Sequence, residues 1–255
     1  MFGVLNINKP LGMTSREAVD RVKRLVRPAK VGHTGTLDPL ATGVLLVCVG
    51  PATRLMDYAH RLPKRYRATF QLGQRSPTDD LEGDVEHLAN SPQPTQGDME
   101  SALPQFVGEI EQRPPIFYAV KIKGKRAYPM ARRGDDIDMP SRRVTIHSLD
   151  LVRYEYPELV LDIACGSGTY IRSLGRDLAE SLGTAAVMSG LVRTAVGGFT
   201  VDRALSPDSL PTAADSLNLE SPLSLLPNMP RVTLTPQDQE LIRNGRTAAL
   251  AGENT

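Results

Sequence analysis

Between Lys64 and Leu72 the chain alternates with period two. Tyr66, Ala68, Phe70 and Leu72 fall on one side, and Arg65, Arg67, Thr69 and Gln71 on the other; this predicts a half-buried β-strand. A different period precedes it. Ala18, Val19, Val22, Leu25 and Val26 recur at helical spacing with Arg16, Arg21, Lys23, Arg24 and Arg27 on other faces, so a helix with one buried stripe and a basic exterior is expected, capped by Thr14 or Ser15. Apolar runs at 4–7, 44–49, 116–122, 144–154, 159–165 and 185–194 predict further strands. Pro51 opens a short helix with Ala52, Leu55, Met56 and Ala59 inward, and residues 99–106 suggest another. A glycine turn at Gly166–Gly168 runs into a helix with Ile171, Leu174, Leu178 and Leu182 as its buried stripe and Thr169 as its cap. Residues 75–98 are acidic and rich in turn formers, hence a loop. From Pro207 onward Pro and Ser punctuate a linker, and residues 235–245 resemble a short helix with a glycine stop.

One stretch does not serve periodicity at all. In GHTGTLDPLATGVL, residues 32–45, a single carboxylate, Asp38, stands among Gly32, Gly35 and Gly43 and directly before Pro39. Glycine admits backbone angles other residues avoid, and proline pushes the residue before it away from helical geometry. The acid is therefore presented from a shaped loop. Taken alone, an Asp-Pro pair more often marks a turn in which the carboxylate bonds nearby backbone.

The 255 residues can bury a sizeable core. No apolar run approaches a membrane span of about 20 residues, and the N-terminus lacks the charged and apolar regions of a signal peptide; a cytoplasmic protein is expected. Cys48 and Cys165 lie in apolar runs without metal-ligand spacing, which predicts inert buried thiols. The four histidines form no ligand pattern. Net charge is only +1, yet it is segregated: residues 1–73 carry +8, residues 74–112 carry −8, residues 113–143 carry +6 and the remainder −5. Charge runs usually mark solvated faces, but two basic blocks around an acidic one also suit a surface that collects phosphates. Within the second block, residues 121–143 form a basic insertion with Lys123, Lys125, Arg126, Arg132, Arg133, Arg142 and Arg143. Arg172 falls in the first turn of its helix, where a cation opposes the helix dipole, so an anion nearby, phosphate or carboxylate, is expected.

Six ordered blocks, NINKPLGMTS, VGHTGTLDPLATGVL, KRYRATFQLGQRS, IKGKRAY, CGSGTYIRSLGRDL and GLVRTAVGGF, together resemble the bacterial tRNA pseudouridine(55) synthases, over roughly residues 3–210. The resemblance implies an α+β fold: the pseudouridine synthase fold, a mixed, largely antiparallel central sheet flanked by helices. Residues 1–210 would be the catalytic domain, 211–230 a linker, and 231–255 an incomplete C-terminal PUA-like segment. It implies isomerisation of a uridine in the tRNA T-loop, with no cofactor or metal, by a monomer whose partner is the T-arm of tRNA. By position, Asp38 matches the catalytic aspartate, Tyr66 the tyrosine stacking on the target base, and Arg172 the arginine paired with the aspartate. Tyr170 and Leu191 match base-pocket residues, His33 a histidine contacting RNA as the nucleotide turns out, and residues 123–143 a segment closing over the T-loop. Ser167 stands where many relatives have lysine, and Pro77 interrupts a polar run.

These residue types suit that chemistry. Breaking a glycosidic bond and rejoining the base through carbon needs a carboxylate able to attack or stabilise an electron-poor carbon. Desolvation would raise the pKa of such an acid, and a neighbouring guanidinium would lower it and fix its orientation. An RNA-binding chaperone without catalysis would not need Asp38, Tyr66 and Arg172 together. A carboxylate-pair hydrolase would need a second acid, which the sequence does not single out near Asp38.

Overall fold

A computed structural model describes residues 1–115, 121–122, 125–126 and 140–247, the two short central pairs by backbone alone. In chain order the elements are β1 (Gly3–Lys9), α1 (Ser15–Leu25), β2 (Val31–Thr34), β3 (Ala41–Val49), α2 (Met56–Arg61), β4 (Lys64–Leu72), β5 (Gln74–Arg75) and β6 (Glu86–His87). There follow α3 (Gln96–Ala102), β7 (Gly108–Gln112), β8 (Lys121–Ile122), β9 (Lys125–Arg126), β10 (Arg142–Glu155), β11 (Glu158–Cys165), α4 (Ile171–Ser181), β12 (Ala186–Val196), β13 (Phe199–Thr200) and α5 (Pro236–Arg243).

Among the described residues the main sheet runs β1-β3-β12-β4-β11-β10-β7, with β2 added to β3 and β13 to β12. Every pairing is antiparallel except the short one between β12 and β3, where Leu191 faces Ala41. That parallel contact joins two halves with separate cores. One is built on β1, β3 and α1, whose Ala18, Val19 and Val22 bury against Ile7, Leu45 and Val47. The other is built on β4, β10, β11 and β12 under α4, whose Ile171, Leu174 and Leu178 bury against Ala68, Phe70 and Met188. The expected mixed, largely antiparallel sheet with flanking helices is present, and the alternation in β4 is the observed one, with Ala68, Phe70 and Leu72 buried.

Two glycines set the approach of these layers. Gly43 has φ +98°, and a Cβ there would lie 2.3 Å from the carbonyl oxygen of Arg193, so only glycine lets β3 close on β12. Gly175 sits where a Cβ would lie 2.0 Å from the Phe70 ring, which draws α4 down onto β4.

Several local expectations change. Residues 75–98 contain the β5–β6 hairpin, and α3 begins at Gln96 because Thr95 and Asp98 cap each other reciprocally. β7 was not foreseen; it is a five-residue edge strand in which only Gln112 is buried. Thr169 does not cap α4. Its hydroxyl donates to the Gly166 carbonyl, and the cap position falls at Tyr170, which makes no side-chain cap bond. Of the strand expected at 116–122 only Lys121–Ile122 is described, paired with Lys125–Arg126; residues 116–120 lie outside the described residues.

Residues 211–225, expected as linker, belong to a compact unit spanning Met1–Leu225. Leu217 and Leu225 are buried, and Glu220 exchanges two backbone hydrogen bonds with Val4. Beyond Leu225 a second unit contains α5, capped by Thr235 and Asp238 and stopped at Gly245 with φ +68°.

Candidate active site

Asp38 lies on a loop fixed from three sides. The Ser15 hydroxyl donates to the Leu37 carbonyl at 2.9 Å and accepts from the Leu37 amide at 2.8 Å, tying the loop to the first turn of α1. The Gly12 amide donates to the Pro39 carbonyl at 2.9 Å. The Arg193 side chain, fully buried, donates to the carbonyls of Gly35 (3.0 Å) and Val44 (2.6 Å). Asp38 is thus not folded into a self-satisfied turn: its side chain remains 32% exposed and lines a cleft of about 350 Å³, a size within the common range of ligand sites, about 300–1,000 Å³.

Arg172 supplies the expected counter-charge, but its nearest acid is a residue the sequence reading did not single out. Its Nη2 stands 3.3 Å from Asp38 Oδ2, whereas Nη1 bonds Asp80 Oδ2 at 2.8 Å and the Thr78 carbonyl at 2.8 Å. Asp80 is 1% exposed, and its other oxygen accepts from the Thr78 hydroxyl (2.6 Å) and the Glu82 amide (3.0 Å). The guanidinium therefore spans a buried structural carboxylate and a half-open one. The anion inferred from the helix dipole is a carboxylate, and the signal for Asp80 was its place in the Thr-Asp-Asp turn after the Tyr66 strand. A second acid does stand beside the site, contrary to the sequence expectation. Sealed from solvent and bonded on both oxygens, it cannot work as the second half of a hydrolytic acid–base pair.

The rest of the cleft combines cations with flat side chains. Tyr66 and Leu191 both line it, brought together by the pairing of β4 with β12. Burial pushes the Tyr66 hydroxyl pKa up, with Arg193 beside it acting in the opposite sense, so Tyr66 stays neutral. Lys64 lines the cleft and Lys9 is buried within electrostatic reach of Asp38; burial lowers each to about 8, Asp38 opposes this at Lys9, and Arg193 adds to it at both. Neither lysine was singled out from the sequence, because nothing marks a lysine at a strand end as buried.

Tyr170 also lines the cleft. Gln112, fully buried, clamps its backbone, accepting from the Tyr170 amide at 2.8 Å and donating to its carbonyl at 2.9 Å. Arg142 stacks over the Tyr170 ring, 4.1 Å from its centroid, and donates to the Gly168 carbonyl. Arg142 and Arg143 thus belong to β10, and Arg142 lines the cleft instead of extending into an insertion. Lys123, Arg132 and Arg133 lie outside the described residues, and Lys125 and Arg126 are described as the backbone of β9. His33 sits on β2 and is not among the residues lining the cleft; its Nδ1 is buried without a hydrogen-bond partner, and burial lowers its pKa. Among the described residues no group of three or more His, Cys, Asp or Glu is placed to hold a metal, and no helix is long and apolar enough to cross a membrane.

A mixed, largely antiparallel sheet of this order, flanked by helices, is the pseudouridine synthase fold. Solved structures of like shape include a chain in a Cbf5–Nop10–Gar1 complex (30% identical, TM-score 0.63, covering 80% of this chain and 52% of that one). Another is in an H/ACA ribonucleoprotein bound to a substrate RNA containing 2′-deoxyuridine (27% identical, TM-score 0.61, 82% and 52%). This chain spans about half the length of those chains.

Residues 23–171, more than half of the chain, match the TruB family pseudouridylate synthase N-terminal domain. The chain belongs to that family of pseudouridine synthases. It is 47% identical over 215 residues to the tRNA pseudouridine synthase B of Acaryochloris marina, covering 82% of this chain and 73% of that protein. It is 44% identical over 245 residues to the protein of the same name from Synechocystis, covering 93% and 82%. With that of Arthrobacter it shares 41% over 262 residues, covering 100% and 85%.

Proposed function

We propose that this chain converts a uridine of the tRNA T-loop, position 55, to pseudouridine, with Asp38 as the catalytic carboxylate acting on an extruded nucleotide. The observation that carries this reading is the placement of Asp38: half-open, 3.3 Å from Arg172, in a cleft that Tyr66 and Leu191 also line. Extruding a base costs stacking and pairing energy, which a side-chain sandwich restores. Tyr66 and Leu191 are the two surfaces of that sandwich, and Tyr170 closes its edge. Arg172 supplies the counter-charge to Asp38 and fixes its orientation in a desolvated complex. The buried cations Lys9, Lys64 and Arg193 lend the cleft positive potential suited to the developing charge of a departing uracil and to phosphates. His33 and the basic residues of 123–143 contact the T-arm as the nucleotide turns out. The reading is of a cytoplasmic monomer that works on tRNA without a cofactor, and the likeness to relatives named tRNA pseudouridine synthase B supports tRNA as its substrate.

Asp38→Asn tests it. The amide matches the carboxylate in shape but cannot act as nucleophile or base, so pseudouridine formation on a tRNA transcript is expected to vanish while binding stays within a few fold. Turnover at a tenth of the wild-type rate would remove Asp38 from this role.

A further inference from the structure

Two successive acids after β5, Asp79 and Asp80, meet two arginines one helical turn apart on α4, Arg172 and Arg176. The Asp80–Arg172 pair belongs to the site already described. The other does not: Arg176 Nη1 lies 2.8 Å from Asp79 Oδ2, and the same guanidinium donates to Asp177 (2.8 Å) and to the Arg113 carbonyl (2.9 Å). Asp79 is buried and has φ +59°, one of two positive-φ residues other than glycine among those described. Aspartate is one of the few residues that tolerate that region, and a strained residue persists only where its surroundings over-determine it. Here they do. The Asp79 amide donates to the Ser76 carbonyl at 3.2 Å, and its carbonyl accepts from the Met188 amide of β12 at 2.9 Å. One residue therefore ties the turn that presents Asp80 to α4, which carries Arg172, and to β12, which carries Leu191.

We propose that Asp79 and Arg176 are positioning residues, an ion-paired latch that holds the residue 76–82 turn on α4 so that Asp80 meets Arg172 in the geometry that aims Arg172 at Asp38. The proposal rests on the reading of Asp38 and Arg172 given above. Arg176 and Arg172 of α4 favour the ionised form of Asp79, while Asp177 of α4 and neighbouring Asp80 oppose it. Burial outweighs the arginines and pushes the Asp79 carboxyl up to about 6. The latch is charged at pH 7.5, and as pH falls through about 6 it loses its ion pair while the turn keeps its place in the fold.

The sign for stability is the reverse. With a folded value above the unfolded 3.8, the neutral form is the better fit to the fold, and the stability it contributes is lost as pH rises from 3.8 through 6. Asp79→Asn, of the same shape and tolerant of positive φ, should therefore slow the reaction at pH 7.5 without lowering the melting temperature. A residue with a merely structural role would not behave so.

The test is single-turnover pseudouridine formation on a tRNA transcript with enzyme in saturating excess, from pH 5 to pH 8, for the full chain and its Asp79→Asn, Arg176→Gln and Asp38→Asn variants. The wild-type rate should fall below pH 6. Asp79→Asn and Arg176→Gln should be about tenfold slower at pH 7.5, with no limb near pH 6 and RNA affinity within about twofold. If Arg176→Gln does not fold, Asp79→Asn decides alone. A variant as fast as wild type, one that keeps the same acid limb, or a slow Asp79→Asn with a lowered melting temperature would overturn the latch and leave Asp38 untouched. Activity in Asp38→Asn would instead remove the reading on which the latch depends.

Discussion

At the scale of single residues, the site is defined by charges the fold has taken out of water. Lys9 is fully buried, with its Nζ donating to the carbonyls of Met13 (2.7 Å) and Pro10 (3.0 Å) and feeling the charge of Asp38. Burial lowers it from 10.5 to about 8. Between those two values the unfolded chain holds a proton that the folded chain has released, so stability rises with pH there. The stability of wild type relative to Lys9→Met should therefore grow by about 2 kcal/mol between pH 8 and pH 10, read by urea unfolding at each pH. A flat difference would mean that Lys9 is hydrated. The thiols illustrate the opposite kind of burial. Cys48 and Cys165, pushed up to about 11, are packed among apolar strand residues as their surroundings in the sequence implied.

Elements turn these residues into a site by where they lie on one another. α4 brings Arg172 to Asp38 only because Gly175 lets the helix rest on Phe70. In Gly175→Ala the helix gains about 1 kcal/mol of intrinsic propensity but must lift from a fully buried ring. Overpacking of that kind costs about 1–3 kcal/mol. A lower melting temperature together with a slower catalytic step is expected, since Arg172 lies on the displaced turn; unchanged thermal unfolding would show that the Phe70 ring yields instead. β7 acts in the same way from the far side. Its last residue, Gln112, anchors the start of α4 by bonding both the amide and the carbonyl of Tyr170, the cap residue.

Over the whole molecule, charge is divided between blocks rather than balanced locally, with +8 in residues 1–73, −8 in 74–112 and +6 in 113–143. Part of the acidic block is consumed internally, by Arg172 and Arg176 at Asp80 and Asp79; on α1, Arg16 and Arg21 pair with Asp20 and Asp208, which leaves the exposed Lys23 and Arg24 and the basic segment 121–143 to meet an anionic partner. Reversing Arg132 and Arg133 to Glu should raise KM and flatten the salt dependence of tRNA binding, because fewer counterions are released. The catalytic step in the bound complex should change little. If affinity and its salt slope match wild type, that segment is a solvated excursion.

The sequence by itself determined most of what is local. Periodicity gave β4, α1 and the stripe of α4, because burial of one face writes a period into the chain; the glycine and proline chemistry around Asp38 gave a presented acid. The first-turn position of Arg172 even demanded an anion. Only the tertiary structure decided which anion, since Asp80 is 92 residues from Arg172 and its burial comes from a turn closing over α4. The same holds for Lys9, Lys64 and Arg193, whose burial nothing local in the sequence marks and which the packing of the surrounding strands brings about. It holds too for residues 211–225, whose Pro- and Ser-rich composition suggested a linker although Leu217 and Leu225 are buried. Composition and spacing report what a residue does to its neighbours in the chain, whereas a buried charge is identified by neighbours that only folding supplies.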